Sequence, residues 1–582
     1  MEGPASGKEQ GTEQTSSREG SVVPIPVEDV EQQIQTPPRH PREGWPRWRW
    51  PAVISVFSLA SVLLGYDVSN IANIQASIYE DFGHVELLPW VAVGYTAVNV
   101  AAVPLVRRLL VVGSIRWQIA SYCVLMAVGA AVSGSAKSMS TIIAGRVITG
   151  LGGAGLYQNA LVTNVLLTTP SELPRVQGIM GITWALGLVL GPLIGGAFAE
   201  NHHTTWRWAI YINLPVLAPI IALTIISIPS IHVAPGLPVT TALLSIDWLG
   251  FLLHSAGFIL ICSALIYSGP TWAWSSSSSI IAWVFVGVIY AAYALQQGLC
   301  LLTTRDRRIF PADLFRRRTV ALINVATSMG AAAYGVTLYY TPIFFAFTRG
   351  FSPVGAAVRL LPYICTFVAF VVLTAGLVPV VRRAPPFYVA GGALIAVGAG
   401  LQTRLEPSTR EGAVMGHDAL IGAGVGCLWQ TGVGVMTPTI PPARRMDAVG
   451  LFIVMQLGGV ALMLSVAGAV FENVGYTFLR DAIGGFGYSE QDIRQALAGV
   501  DSKIWTDGSS EVVMLAVGAV TRVIARLHYL VLAAGLLTVA CGCAMSWEKI
   551  DFGRPSKKPA AAAPAQTESE TDRETDREKG SS

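Results

Sequence analysis

Residues 144–160 read AGRVITGLGGAGLYQNA. They set one arginine, Arg146, among small and apolar side chains with no other formal charge in the run. About 20 apolar helical residues span the roughly 30 Å hydrocarbon core of a bilayer. A charge at that depth is costly unless it faces a protein interior or a water-filled cavity with a partner. Arg146 is therefore expected to serve function, the alternative being a snorkelling structural arginine. The glycines around it permit close helix packing, which matters where an apolar side chain gains nothing by leaving lipid.

The rest of the chain has the same character. Of 582 residues, 52% are hydrophobic and 13% charged, against about 25% charged in soluble domains. The expected fold class is all-α: a polytopic membrane protein of about fourteen transmembrane helices. They are expected near 50–74, 86–106, 115–135, 140–165, 176–199, 207–229, 246–268, 279–302, 320–346, 354–381, 386–402, 416–438, 447–473 and 523–546, with twelve as the alternative count. Nearly all short-loop positive charge falls on one side, as Arg107, Arg108 and Arg116, then Arg175, the cluster from Arg305 to Arg318, Arg382 and Arg383, and Arg444 and Arg445, with only scattered basics such as Lys137, Arg349, Arg404 and Arg410 on the other. By the positive-inside rule the arginine-rich side is cytoplasmic, as are both termini.

The arm of residues 1–48 and the tail of 551–582 are too polar to offset chain entropy and are expected to be disordered. The arm holds no apolar signal-peptide core, so the first helix would act as the insertion signal. The polar stretch 474–521 is expected to be an external loop, with a short surface helix around EQDIRQALAGV (490–500).

Several function classes are excluded by what the sequence lacks. Net charge is +3, with the basic residues in short clusters between apolar runs, so no nucleic-acid partner is expected. The seven cysteines show no zinc or disulfide spacing, and neither a metal nor a cofactor is expected. There is no GxxxxGK[ST] phosphate loop for an ATP-driven pump, and neither HExxH nor GxSxG for a hydrolytic enzyme.

Downstream of Arg146 come GLVLGPLIGGAF (187–198) and WRWAIYINLP (206–215), in fixed order. GYDVSNIAN (65–73), PWVAVGY (89–95), SIDWLG (245–250) and FPADLFRRRTV (310–320) occupy corresponding places along the chain. Together these runs resemble the major facilitator superfamily, specifically its fourteen-span drug:proton antiporter family in fungi. That resemblance implies one six-helix bundle at 49–230, two inserted helices at 231–303 and a second bundle at 304–550, rocking about a central cavity. It also implies export of drugs, toxins or secondary metabolites, so a hydrophobic or amphipathic small molecule and protons are the expected partners. Uptake of an iron chelate, or a sensor on the same fold, are the alternatives. A monomer in the plasma membrane is expected, a vacuolar or vesicle membrane being the other location.

In one place the sequence departs from the family. Between the second and third spans the family has an acidic Gly-x-x-x-Asp-x-x-Gly-Arg-Lys-like loop, whereas this chain reads PLVRRLLVVGSIRWQ (104–118). The acid of the usual gating pair is missing there.

Carboxylates within the spans are the natural carriers of a coupling proton. Asp67 and Glu472 are the candidates, with Arg146 tuning whichever carboxylate lies beside it. Gly150, Gly191, Pro192, Gly195 and Gly196 are the expected gating and helix-packing motif. Gln158, Asn159, Asn164, Trp184, Asn213, Asn324, Tyr339, Tyr340, Gln430 and Gln456 are candidate cavity-lining groups, each of which could instead bond helix to helix.

Overall fold

A computed structural model describes residues 42–552, apart from 84–86, 88, 200, 202, 235, 237, 306, 500 and 501. Nearly all of the expected disordered arm and tail therefore lies outside the described residues. Thirteen helices among those described are long and apolar enough to cross a membrane.

The first group of helices is α1 (Arg49–Phe82), α2 (Pro89–Leu109), α3 (Ile115–Gly134), α4 (Met139–Leu167), α5 (Leu173–Ala199), α6 (Thr205–Tyr211) and α7 (Asn213–Ser227). Helices α6 and α7 make one crossing segment, interrupted at Ile212. Next come α8 (Trp248–Tyr267) and α9 (Ser277–Leu299). The second group is α10 (Arg318–Arg349), α11 (Leu361–Val381), α12 (Pro385–Gln402), α13 (Glu411–Leu428) and α14 (Arg445–Ile483), followed by the short α15 (Glu490–Ala498) and then α16 (Ser510–Ala544). Helix α12 is the one member of the fourteen expected segments outside the thirteen. Its 18 residues pack against α13 and α16 as a further rod of the second group.

Packing within the first group runs α1 on α5, α4 on both α2 and α3, and α7 on α3 and α1. In the second it runs α12 on α13 and α16, α11 on α13, and α10 on α14 and α16. The groups meet along two seams, α5 against α11 and α2 against α14. Helix α8 lies over the second seam, touching both α2 and α14, while α9 packs on α8 and exposes most of its apolar surface.

The 474–521 stretch is more helical than expected. Helix α14 continues to Ile483 because Gly475, Leu479 and Ile483 recur at four-residue spacing and are all buried, keeping one face inside despite Arg480 and Asp481. At the other end, α16 starts at Ser510 and buries Val512, Ala516, Ala519 and Val520 on one face. Between them α15 falls on the EQDIRQALAGV run. It is started by a capping box in which Ser489 and Asp492 each satisfy the other's backbone N–H.

Candidate functional site

The core of the first group is a charged cluster formed by four helices. Arg146 on α4 donates through Nη1 to both oxygens of Asp67 on α1, at 3.0 and 2.8 Å. Asn213, the first residue of α7, donates to Asp67 Oδ1 at 3.0 Å. Arg146 Nε donates to the Val91 carbonyl on α2 at 3.1 Å, and the guanidinium lies over the Tyr95 ring at 4.7 Å. Arg146 and Asp67 are 2% and 1% exposed. A buried ion pair offsets its desolvation only when further hydrogen bonds satisfy the remaining atoms. Here Asn213 and Val91 supply them, and the Tyr95 ring adds a cation–π contact.

The glycine motif on α5 places this cluster. A side chain on Gly191 would put its Cβ 2.0 Å from Ser69 Oγ, and one on Gly195 would meet Asn70 Oδ1 at 1.9 Å. Helix α5 can therefore lie directly on the turn of α1 that carries Asp67. Pro192 and Gly196 are buried in the same helix. Gly150 does the same between α4 and α2, where a Cβ would come within 2.5 Å of the Tyr95 carbonyl. Tyr66 and Asn70 then hold the WRWAIY segment by donating to the Ala209 carbonyl at 2.6 and 2.8 Å.

A narrow cavity lies between the two groups, with room for about two water molecules in this conformation. Leu64, Val68, Tyr95, Thr96, Asn99, Tyr157 and Trp184 line it from the first group, and Tyr334, Trp429, Leu457 and Val460 from the second. No lining residue carries a formal charge. Trp184 and Trp429 face each other across the groups with ring centroids 6.1 Å apart, and Tyr334 is 4.5 Å from Trp429. Trp184 Nε1 also donates to the Tyr334 hydroxyl at 3.4 Å.

The backbone breaks beside this cavity: α13 ends at Leu428 and helix resumes at Thr431. Non-helical backbone at membrane depth is tolerated only where protein or a cavity satisfies its polar groups. Gln456 does so by donating to the Trp429 carbonyl at 2.7 Å, while the Tyr157 hydroxyl donates to Gln456 Oε1 at 2.9 Å. Gln430 donates to that same hydroxyl at 3.4 Å.

Of the residues singled out in the sequence, Asp67, Arg146 and Asn213 are brought together, and Trp184 lines the cavity. Gln430 and Gln456 brace its wall from behind. Gln158 and Asn164 are buried with both side-chain polar atoms unpartnered among the described residues, and Asn159 donates back to the Gly155 carbonyl at 2.8 Å. Asn324 sits outside the cavity, donating to the Val320 carbonyl at 2.8 Å. Tyr339 donates to Gln75 Oε1 on α1 at 3.2 Å, a further link between the groups, and Tyr340 packs on Phe471. Glu472 is half-buried near those two tyrosines and forms a separate group from the Asp67 cluster. Tyr95, Asn99, Tyr157, Tyr334 and Trp429 were not singled out for the cavity, although Tyr95 stands in the quoted PWVAVGY run and Tyr157 is next to Gln158.

The acid absent from the loop between α2 and α3 is supplied from elsewhere in the chain. Arg107, at the end of α2, pairs with Asp447 in the first turn of α14 and also donates to the Ile309 carbonyl. Arg444 bonds Asp447 at 2.8 Å and Asp313 at 2.7 Å, and Arg308 reaches Asp313 at 2.8 Å. Arg108 donates to the Arg308 carbonyl at 2.6 Å. Partial burial pushes the Asp313 carboxyl up, but Arg308 and Arg444 outweigh it and hold that carboxyl below its ordinary range. The network links the two groups at the arginine-rich end, and the Tyr339 to Gln75 bond links them at the other.

Residues 57–403 match the family described as Major Facilitator Superfamily. The chain is 31% identical to "Efflux pump patC" of Aspergillus clavatus, over 86% of this chain and 91% of that one. It is 30% identical to "Efflux pump DEP3" of Fusarium langsethiae, over 85% and 89%. Among solved structures it resembles a bacterial homolog of the human lysosomal transporter Spinster, with a TM-score of 0.56 and 14% identity over 86% of this chain and 98% of that one. A second is the proton:xylose symporter XylE, with a TM-score of 0.54 and 13% identity over the same shares. These two likenesses are of fold.

Proposed function

The chain belongs to the Major Facilitator Superfamily, and on that footing we propose that it exports hydrophobic or amphipathic toxins or secondary metabolites by proton-coupled alternating access. The observation that carries this reading is the cavity between the two helix groups. Its walls are five aromatic side chains from both groups, with Asn99 and Thr96 for hydrogen bonding. Such a site offers contact area and few polar demands, which suits uncharged apolar molecules. The names of the two efflux-pump relatives supply the direction of transport.

The two groups rock about this cavity, with α8 and α9 as the inserted pair at residues 231–303. The arginine network closes the cytoplasmic side and opens when the cavity loads from within. Asp67 and Arg146 carry coupling in the first group, with Glu472 a further candidate near the opposite end. The protein acts as a monomer in the plasma membrane with both termini cytoplasmic.

Efflux of a panel of fluorescent lipophilic compounds and fungal metabolites from expressing cells, with and without a protonophore, tests the reading. Protonophore-sensitive loss of a compound, absent from cells lacking the protein, is the expected result. Accumulation of the compound by expressing cells would point to import and contradict it.

A further inference from the structure

The second helix group holds a buried carboxylate within the run HDALIGAGVG (417–426). Asp418 on α13 has no exposed surface. Gln402 Nε2, from the end of α12, donates to its Oδ1 at 2.7 Å, and the Thr341 hydroxyl, from α10, donates to Oδ2 at 3.1 Å. Both donors are neutral. This contrasts with Asp67, whose charge Arg146 balances at 2.8 Å.

The titratable groups around the site supply no cation bonded to Asp418 among the described residues. From α11 the Tyr363 hydroxyl lies near enough to feel its charge and is buried, without a hydrogen-bond partner among the described residues. On α13 itself His417 is the next residue back, and Glu411, two turns nearer the helix start, is paired with Arg359 at 3.0 Å. From α16 the buried His528 lies near His417 and bonds through Nδ1 to the Ile524 carbonyl at 3.0 Å. Helices α10 and α12 contribute only Thr341 and Gln402 to its hydrogen bonds.

We propose that Asp418 is a further proton-carrying residue of the transport cycle, with Gln402 as the group that responds to its protonation state. The proposal rests on the proton-coupled reading above. The step is a simple proton transfer: a water-borne proton forms an O–H bond on one carboxylate oxygen and later leaves to water, and no electrons move. In the ionised form Gln402 Nε2 donates to the carboxylate. In the protonated form the carboxyl becomes a donor, and Gln402 Oε1, buried and without a partner among the described residues, is the acceptor waiting for it when the amide turns over. The site offers a metal ion little, since Gln402 turns its NH₂ toward Asp418 and leaves two carboxylate oxygens and one hydroxyl.

The location joins this proton to the cavity. Thr341 lies seven residues beyond Tyr334 on α10, about 10 Å along the helix, and Asp418 lies eleven residues before Trp429, about 16 Å. Tyr334 and Trp429 are the two aromatic walls that the second group contributes. Gain or loss of a proton at Asp418 changes the bonds among α10, α12 and α13, two of which lead to those walls.

The test has a spectroscopic arm that needs no substrate. Infrared difference spectra of the purified full-length protein, recorded across the pH range in which it stays folded, are expected to show a titrating carboxylic C=O band. That band should vanish in Asp418→Asn, return shifted in Asp418→Glu, and titrate at a different pH in Gln402→Leu. The same titration in Asp418→Asn as in wild type overturns the proposal. If Asp418→Asn fails to fold, an unmoved titration in Gln402→Leu overturns it instead. The transport arm is protonophore-sensitive efflux from cells. Wild-type efflux that ignores the protonophore defeats the coupled reading, and with it the coupling role, whatever the spectra show. Protonophore-sensitive efflux that is equal in wild type and Asp418→Asn defeats the Asp418 proposal alone.

Discussion

Arg107 at the end of α2 and Asp447 in the first turn of α14 stand 340 residues apart in sequence and form an ion pair across the seam between the two helix groups. Asp447 is shared with Arg444, which continues to Asp313 and Arg308. The acid that closes the arginine-rich end is therefore carried by the second group, where the family places it in the loop of the first. A side chain on Gly450 would have its Cβ 2.5 Å from Arg107 Cδ. The arginine thus lies flat against α14, and the pair is built into the seam.

Removing one partner of this pair leaves Arg107 buried without its carboxylate. Breaking a buried pair costs about 3–5 kcal/mol, and Asp447, whose side chain is 19% exposed, places the expected loss at the lower end. Asp447→Asn should lower the thermal unfolding temperature and increase labelling of a cysteine placed at the arginine-rich mouth. In a double-mutant cycle, adding Arg107→Gln to Asp447→Asn should cost much less than Arg107→Gln alone. Strictly additive losses would show that the pair itself does not hold the seam.

The Asp67 cluster joins coupling to folding. Asp67→Asn keeps the shape of the side chain but leaves the buried Arg146 without its carboxylate, so uphill transport should be lost and the fold weakened by about 3–5 kcal/mol in protein that still reaches the membrane. Arg146→Ala leaves a buried carboxylate unpaired, and should destabilise the fold by about 3–5 kcal/mol, read as thermal unfolding in detergent. Undiminished uphill transport by Asp67→Asn would remove that residue from the mechanism.

Close approach of α5 to α1 is testable by size alone. Gly191→Val or Gly195→Val must displace Ser69 or Asn70, and overpacking of this kind costs about 1–3 kcal/mol or more. The yield of monodisperse protein should fall sharply. Gly287→Val is the control, because nothing lies within 4 Å of a Cβ there, and its yield should match wild type.

The aromatic walls should set affinity more than rate. Trp429→Ala removes a cavity ring that packs against Tyr334, Trp184 and Phe367. One aromatic contact between this ring and a bulky aromatic substrate contributes about 0.5–1.5 kcal/mol, so the KM for such a substrate should rise roughly 2- to 10-fold. Trp429→Phe should recover most of that rise, and equal KM values in all three proteins would place binding elsewhere.

The arginine network has a defined pH sign. Arg308 and Arg444 hold the Asp313 carboxyl below its ordinary range against the opposing effect of partial burial. A depressed carboxyl contributes its stabilisation fully above its unfolded value of about 3.9, and loses it as pH falls through the lower folded value. Stability through this network should therefore be flat from neutral to mildly acidic pH. Arg444→Gln brings the folded carboxyl nearer its unfolded value and should shrink the acid-induced loss in thermal unfolding, and a loss of unchanged size would contradict the assignment.

What was legible in the sequence follows from how local each signal is. Arg146 stands alone in an apolar run, and the GLVLGPLIGG spacing marks one helix face, so both could be found without knowing what they touch. The partner of Arg107 could not, because nothing in PLVRRLLVVG points to RRMDAVG on the far side of the chain. Gln430 and Gln456 were visible as polar groups inside spans. Their task of satisfying the backbone at Trp429 depended on a helix break that local pattern does not announce. Asp418 carries no motif, and its importance lies in the absence of a cation beside it, which only packing reveals. The ends of α14 and α16 were missed because Arg480, Asp481, Glu511 and Arg522 lower average hydropathy while one face of each helix stays apolar.

Transport by the purified protein in sealed vesicles, with a pH gradient imposed in one direction and then reversed, tests proton-driven export most directly. The account predicts that a compound identified in the cell assay accumulates against its own gradient on the more acidic side, and that reversing the pH gradient reverses the direction of accumulation. Flux that only runs down the compound's own gradient, whichever way the protons are set, would contradict it.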